Sequence, residues 1–246
     1  MEAIILNHLT KKYDEHPVVN ALNFSIEKGE FFALLGENGA GKTTLINMLC
    51  CLLTPTAGDA LVFGNSIRTK VDAVKQKINI SPQETAVAPN LTIRENLEFI
   101  AGIYGSSKME AKEKATEMLQ TFGLAERQKD KARTLSGGMQ RRLSIAMGLI
   151  TNPHILFLDE PTLGLDVRSR RELWATLSKL KGKMTIVLTT HYLEEAEALA
   201  DRICILQKGS VKAIGIAKEM KDSTNTTSFE DAFLAICDRE VTYEHA

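Results

Sequence analysis

FFALLGENGAGKTT, residues 31–44, joins an apolar run to a glycine-rich turn and then to the start of a helical pattern. Phe31 to Leu35 are all apolar, as expected of a strand buried on both faces of a sheet. In residues 36–44, GENGAGKTT, the spacing is G-x-x-x-x-G-K-[ST], a phosphate loop in its proper context between strand and helix. Gly36, Gly39 and Gly41 give the backbone the freedom to turn successive N–H groups inward around phosphate oxygens, with Asn38 and Ala40 between them. The helix that follows, TTLINMLCCLL (residues 43–53), adds its positive end. Lys42 can reach the β- and γ-phosphates, and Thr43, followed by Thr44, can ligate Mg²⁺ through its hydroxyl.

Working outward, short β-like runs precede the loop (AIILNHL and VVNALNFSI), with turn signals at His16-Pro17 and Lys28-Gly29. ALVFG and KINI follow as further strands. From about Thr92 to Lys131 the character becomes helical. Thr92 with Glu95 and Ser107 with Glu110 have capping-box spacing, so a helical subdomain is expected there. The α/β pattern then resumes: a helix after Ser136, the strand HILFLD, a helix over about 167–181, the strand MTIVLTT, and a helix over about 192–200. A hairpin turning at Lys208-Gly209-Ser210 comes next, and a last helix near 229–236 begins with Ser228 and Asp231 in capping spacing. Alternating strands and helices predict a largely parallel sheet covered on both faces.

Length and composition fit this. The 246 residues suit one large domain, 44% hydrophobic and 25% charged content is that of a globular protein, and a net charge of −1 offers no basic field for nucleic acid. No stretch approaches the ~18 apolar residues of a membrane span. The start reads as a strand, not a signal peptide. Four cysteines, at 50, 51, 204 and 237, fit no zinc or redox spacing, so a reducing, cytoplasmic setting is expected.

HILFLD ends in Asp159-Glu160, which places two acids at the edge of the sheet where α/β folds bind ligands. Asp159 is the candidate to hold Mg²⁺, and Glu160 the candidate base for the water that attacks the γ-phosphate. Alone, two such acids read as a solvated strand end. Asp166 in PTLGLD can cap the next helix or reach across an interface. Gln83 can touch Mg²⁺ or the attacking water, although an isolated loop glutamine signifies nothing. His191 can contact the γ-phosphate or simply begin a helix. Tyr13 can stack on adenine, although a half-exposed surface tyrosine is the commoner outcome. Arg141 and Arg142 read as a solvated helix face or ion pairs, and Trp174 as core. A second anion-ready helix start, LSGGMQ (residues 135–140), has Ser136 as N-cap with Gly137 and Gly138 leaving room for a ligand.

In this order, these residues resemble the ATP-binding cassette family, the motor subunits of ABC transporters, over nearly the whole chain. The resemblance covers Tyr13, the Walker A loop, the Q-loop glutamine Gln83, the signature LSGGMQ, the Walker B strand ILFLDE, the D-loop GLD and the H-loop histidine His191. Met139 and Gln140 stand where GGQ is usual, and Glu37 replaces a common proline. The resemblance implies a P-loop NTPase cassette over residues 1–216 with an antiparallel β subdomain first and the helical subdomain (84–134) inserted, plus a helical tail at 217–246. It also implies ATP and Mg²⁺ as cofactors and two cassettes packed head to tail. Ser136, Gly137 and Gly138 would then face the γ-phosphate held by the other chain's Lys42, so LSGGMQ is half of a composite site. A separate integral membrane permease would dock beside Gln83 to Leu97, with the cassette peripheral on the cytoplasmic face. LTIRENLEFIAGIYG and SFEDAFL resemble the drug-, polysaccharide- and lipid-export branch. The competing expectation is a soluble cassette ATPase in translation, repair or cofactor assembly.

Overall fold

The computed structural model describes residues 1–238. Two sheets share the chain. The first strands, β1 (Glu2–Tyr13) and β2 (His16–Glu27), pair antiparallel, and after β3 (Phe31–Leu35) and α1 (Lys42–Leu49) come β4 (Ala57–Val62) and β5 (Asn65–Ser66). Strands β2-β1-β4-β5, in that order, make an antiparallel sheet. The β1–β2 turn lies at Asp14-Glu15, not at His16-Pro17 as the sequence suggested, because both of those residues already pair within β2. Pro17 is tolerated because β2 is an edge strand, where a missing N–H costs no ladder bond.

The remaining elements are α2 (Val71–Lys75), β6 (Ile78–Ser81), α3 (Ile93–Ile103), α4 (Lys108–Thr121), α5 (Gly137–Leu149), β7 (Ile155–Asp159), α6 (Val167–Ser178), β8 (Thr185–Thr190), α7 (Leu193–Leu199), β9 (Arg202–Gln207), β10 (Ser210–Gly215), α8 (Ala217–Thr224) and α9 (Phe229–Asp238). The second sheet runs β10-β9-β3-β8-β7-β6, parallel throughout except for β10. Every residue of β3, β7 and β8 is buried, as the apolar runs required.

Side-chain alternation along β3 distributes the core. Phe32 and Leu34 face α1 and the antiparallel sheet, whereas Phe31 joins Leu156, Leu158, Ile186 and Leu188 beneath α3 to α6. Ala33 and Leu35, with Ile203 and Ile205, receive Ala196 of α7 and Met220, Phe229, Ala232 and Ile236 of α8 and α9. The tail helix thus has a packed face within the described residues; α8 was not anticipated separately, and the last residues of the expected tail, 239–246, lie outside them.

Both capping boxes form, with Thr92 and Ser107 each exchanging bonds with the glutamate three residues on. Ser228 accepts from the N–H of Asp231 at 3.0 Å. α1 stops at Leu49, four residues earlier than the apolar pattern suggested, and Cys51 adopts a left-handed conformation (φ 56°) that ends the helical run.

Register positions the site. Leu35 lies opposite Thr190, Asp159 opposite Thr189, and Ser81 opposite Leu158, so four strands end on one line. The residues just beyond those ends are Gly36, His191, Glu160 and, two past Ser81, Gln83. The carboxyl edge of a parallel sheet is where such folds place ligands.

Candidate functional site

The loop leaving β3 is shaped by close backbone approaches. A Cβ on Gly36 would lie 2.3 Å from the carbonyl oxygen of Leu206. Gly41 has φ +101°, and a Cβ there would lie 2.5 Å from the carbonyl oxygen of Val18. The same Val18 oxygen stands 2.5 Å from the place a Cβ would take on Gly209, in the β9–β10 turn. That turn is tied in twice more: Gly209 N–H donates to Ala40 O at 3.1 Å, and Asn20 N–H donates to Gly209 O at 2.9 Å.

The loop opens on a cleft of about 440 Å³ lined by Asn38, Gly39, Ala40, Gly41, Lys42, Thr43 and Thr44, with Val18, Gln83, Glu160, Leu163 and His191 completing the wall. Lys42 is only 6% exposed; its ammonium donates to Gly36 O at 2.7 Å and Glu37 O at 3.1 Å. It also faces Glu160 Oε1 at 3.4 Å. The other carboxylate oxygen of Glu160 is 2.8 Å from His191 Nδ1. Glu160 is therefore bracketed by the loop lysine and the strand-end histidine. Its backbone has φ +47°, unusual for a side-chain-bearing residue, and its N–H is held by Thr189 O at 3.1 Å and Thr189 Oγ1 at 3.0 Å.

Asp159 points back beneath the loop. Its Oδ1 accepts from Thr43 Oγ1 at 3.3 Å and from the Thr189 hydroxyl. A hydroxyl and a carboxylate at this spacing, beside a phosphate cradle, are the hard oxygen donors that suit Mg²⁺, which keeps its remaining positions for phosphate and water. Gln83 also lines the cleft.

Two groups of expected site residues stand apart from this cleft. Tyr13 sits at the β1–β2 turn, 49% exposed, with Lys11 Nζ 5.3 Å from its ring centre. Ser136, Gly137 and Gly138 form the start of α5, where the Ser136 hydroxyl caps the N–H of Met139 at 3.4 Å. The two glycines differ. Nothing lies within 4 Å of a Cβ on Gly137, whereas a Cβ on Gly138 would come within 3.1–3.2 Å of Ser169 on α6. Gly138→Ala should therefore lower the melting temperature by pushing α6 outward. Gly137→Ala should leave the melt unchanged and weaken only ATP-dependent pairing of chains. Thermal melts and light scattering with ATP separate the two; equal effects on both readouts would contradict the distinction.

Asp166 is a cap, its Oδ1 accepting from the N–H groups of Arg168 and Ser169 at 3.0 Å each. The hydrogen bond from the Ser169 side chain, followed by the one from its N–H, holds the Asp166 carboxyl below its usual range. Arg142 pairs with Glu172 at 2.8 Å, one of the two expected outcomes.

Arg141 corrects the sequence reading: it does not lie on a solvated face, and among the described residues it forms no ion pair with a carboxylate. It is 4% exposed and donates to the main-chain oxygens of Asp159 (2.7 Å), Pro161 (2.9 Å), Gln83 (3.2 Å) and Pro82. Burial lowers its pKa to about 10, with Asp159, Glu195 and Glu160 opposing that shift through their charge. Trp174, read as core, is half-buried and uses its indole N–H to bind Glu195 Oε1 at 2.9 Å. Glu195 is fully buried, and burial raises its pKa. The sequence did not single out Glu195 or Thr189; a glutamate within HYLEEAE and a threonine at a strand end carry no local mark of burial.

A parallel sheet that delivers a phosphate loop, a strand-end acid pair and a histidine to one cleft defines a P-loop nucleotide hydrolase. The family described as ABC transporter matches residues 19–163. The chain is 44% identical over 214 residues to the linearmycin resistance ATP-binding protein LnrL of Bacillus subtilis, covering 87% of this chain and 69% of that one. It is 41% identical over 222 residues to the daunorubicin/doxorubicin resistance ATP-binding protein DrrA of Streptomyces peucetius, covering 90% and 67%. Among solved structures, an ATP-binding subunit of an ABC transporter superposes with TM-score 0.85 at 27% identity, over 96% of this chain and all of that one. The dimeric post-hydrolysis cassette MJ0796 bound to ADP and Pi superposes with TM-score 0.77 at 30% identity, over 87% of this chain and 98% of that one. The chain belongs to the ABC transporter family, as one of its ATP-binding subunits. It binds and hydrolyses ATP as the motor of a membrane transporter. No helix among the described residues is long and apolar enough to cross a membrane.

Proposed function

We propose that the chain powers export of a small, drug-like molecule by a separate membrane permease, from the cytoplasmic face. Support for direction and cargo comes from the relatives, which are named for resistance to linearmycin, daunorubicin and doxorubicin. The observation that carries the chemistry is Glu160 set between Lys42 and His191. In this reading Gly36 to Thr44 cradle the phosphates and Lys42 holds the β- and γ-oxygens. Glu160 accepts the proton of the water that attacks the γ-phosphorus as the bond to the β-phosphate oxygen breaks. His191 fixes the Glu160 carboxylate, and Gln83 orients the water. Thr43, Asp159 and Gln83 would hold Mg²⁺, which supplies charge neutralisation on the phosphates. Tyr13 would carry the adenine, and Ser136, Gly137 and Gly138 would meet the γ-phosphate of a second cassette.

The cassette on this reading spans 1–216, with the helical subdomain at about 84–134 and the tail beyond. The permease would dock beside Gln83 to Leu97, with Phe99 and Ile103 of α3 and Tyr104 at its C-terminal end exposing apolar surface just past it in sequence. The test is to capture the tagged chain from gently solubilised native membranes. A multi-span membrane protein in near-equal amount is the expected companion; soluble proteins alone, with the chain missing from the membrane fraction, would sink the transport reading.

A further inference from the structure

Arg141 is buried, charged and committed wholly to main-chain oxygens. All of them belong to two segments: the end of β7 with its following residue pair (Asp159, Pro161) and the start of the loop after β6 (Pro82, Gln83). The β6–β7 ladder pairs Ser81 with Leu158, and Ser81 Oγ meets Ser144 Oγ of α5 at 3.0 Å; beyond those strand ends Arg141 hydrogen-bonds both segments. The arginine itself comes from α5, five residues after the cap Ser136. Three pieces of chain with separate chemical tasks therefore meet at one guanidinium.

We infer that Arg141 is a positioning residue, one that locks the strand-end acids, Gln83 and the helix bearing Ser136 into a single rigid unit. The planar fork explains the residue type. Nε, Nη1 and Nη2 point in fixed, divergent directions, and each meets an oxygen. A lysine ammonium in the same space has three donors on a flexible stem and cannot span both segments at once. The consequence is coupling in both directions. A shift of Gln83 when nucleotide arrives must drag α5, and with it the Ser136 end offered to the second cassette. A shift of α5 must move the acids of the chain's own cleft.

The loop that grips phosphate, residues 36–44, has no hydrogen bond to this guanidinium among the described residues, so phosphate binding and turnover should separate. Arg141→Lys and Arg141→Met are compared with the wild type for ATPase kcat and KM and for melting temperature. Arg68→Met serves as control, because it removes an arginine–carbonyl bond of the same kind (Nη1 to Gly58 O, 2.9 Å) far from the cleft. Positioning predicts a kcat lower by about 10²-fold, the scale of an ångström-sized misplacement of reacting groups. KM should stay within about twofold, as expected when ground-state binding is untouched. Arg141→Lys should fail to restore kcat although it keeps the charge and folds. Arg68→Met should leave both constants unchanged.

Where Arg141→Met, which leaves four main-chain oxygens without their donor, fails to fold, the lysine variant, which still satisfies some of them, carries the test. Wild-type kcat in folded Arg141→Lys would overturn the inference, because charge alone would then suffice. A raised KM with unchanged kcat would overturn it by moving the role to nucleotide binding. The inference rests on the ATPase reading, and the two fail differently: an inactive wild type removes that reading, whereas an active wild type matched by its variants removes only the role of Arg141.

Discussion

Glu160→Gln should reduce ATP turnover by about 10²–10⁴-fold, the usual contribution of a positioned general base. The amide keeps the shape of the carboxylate, and its oxygen can still accept from Lys42, so the cleft should retain its form. Lys42 also keeps its bonds to Gly36 O and Glu37 O, which limits the cost of losing its charged partner. What disappears is the capacity to take a proton. Binding of ATP should survive, and paired cassettes should accumulate because the nucleotide between them is no longer consumed. Phosphate release measured beside nucleotide retention on gel filtration decides the matter. Turnover near the wild-type rate would remove Glu160 from the role of base.

The second large effect is structural in origin. In Gly41→Ala the new methyl carbon would lie 2.5 Å from a backbone oxygen, at a φ of +101° that residues with side chains rarely adopt. Left-handed backbone costs roughly 1–2 kcal/mol per residue, and forcing atoms into a packed site costs about 1–3 kcal/mol more. The loop can relieve the clash only by moving, and movement there displaces the N–H groups that would hold phosphate. Loss of measurable ATP binding together with a fall of several degrees in melting temperature is expected. A variant that bound ATP as the wild type does would show that this close approach does not set the loop.

What could be read from sequence was whatever local chemistry specifies by itself. The phosphate loop was legible because its glycines, Lys42 and Thr43 sit at fixed spacing after a run of five apolar residues. Thr92 with Glu95 and Ser107 with Glu110 announced helix starts because a capping box is closed within four residues. Gly138 was legible only in part: its place in LSGGMQ marked a helix start, but its tight contact with Ser169 depends on how α5 meets α6. Arg141 and Arg142 show the limit most clearly. They are adjacent and chemically identical, yet one pairs with Glu172 near the surface and the other enters the site. Which side of a helix faces a loop 58 to 59 residues upstream is decided by tertiary packing, and no neighbouring residue encodes it. Pro17 misled for a related reason, since a proline marks a turn only if its strand is not at an edge.

The carbonyl of Val18, caught between Gly41 and Gly209, has a consequence in time. The phosphate loop is specified by residues near position 40, yet the turn that buttresses it is made 168 residues after Gly41. At ribosomal rates of about 5–20 residues per second, that interval is on the order of 10–30 s. During synthesis the nascent chain carries the full phosphate-loop sequence long before it owns the contacts that shape it. The buttress of the phosphate loop is therefore assembled late in synthesis, only once the β9–β10 hairpin has been made.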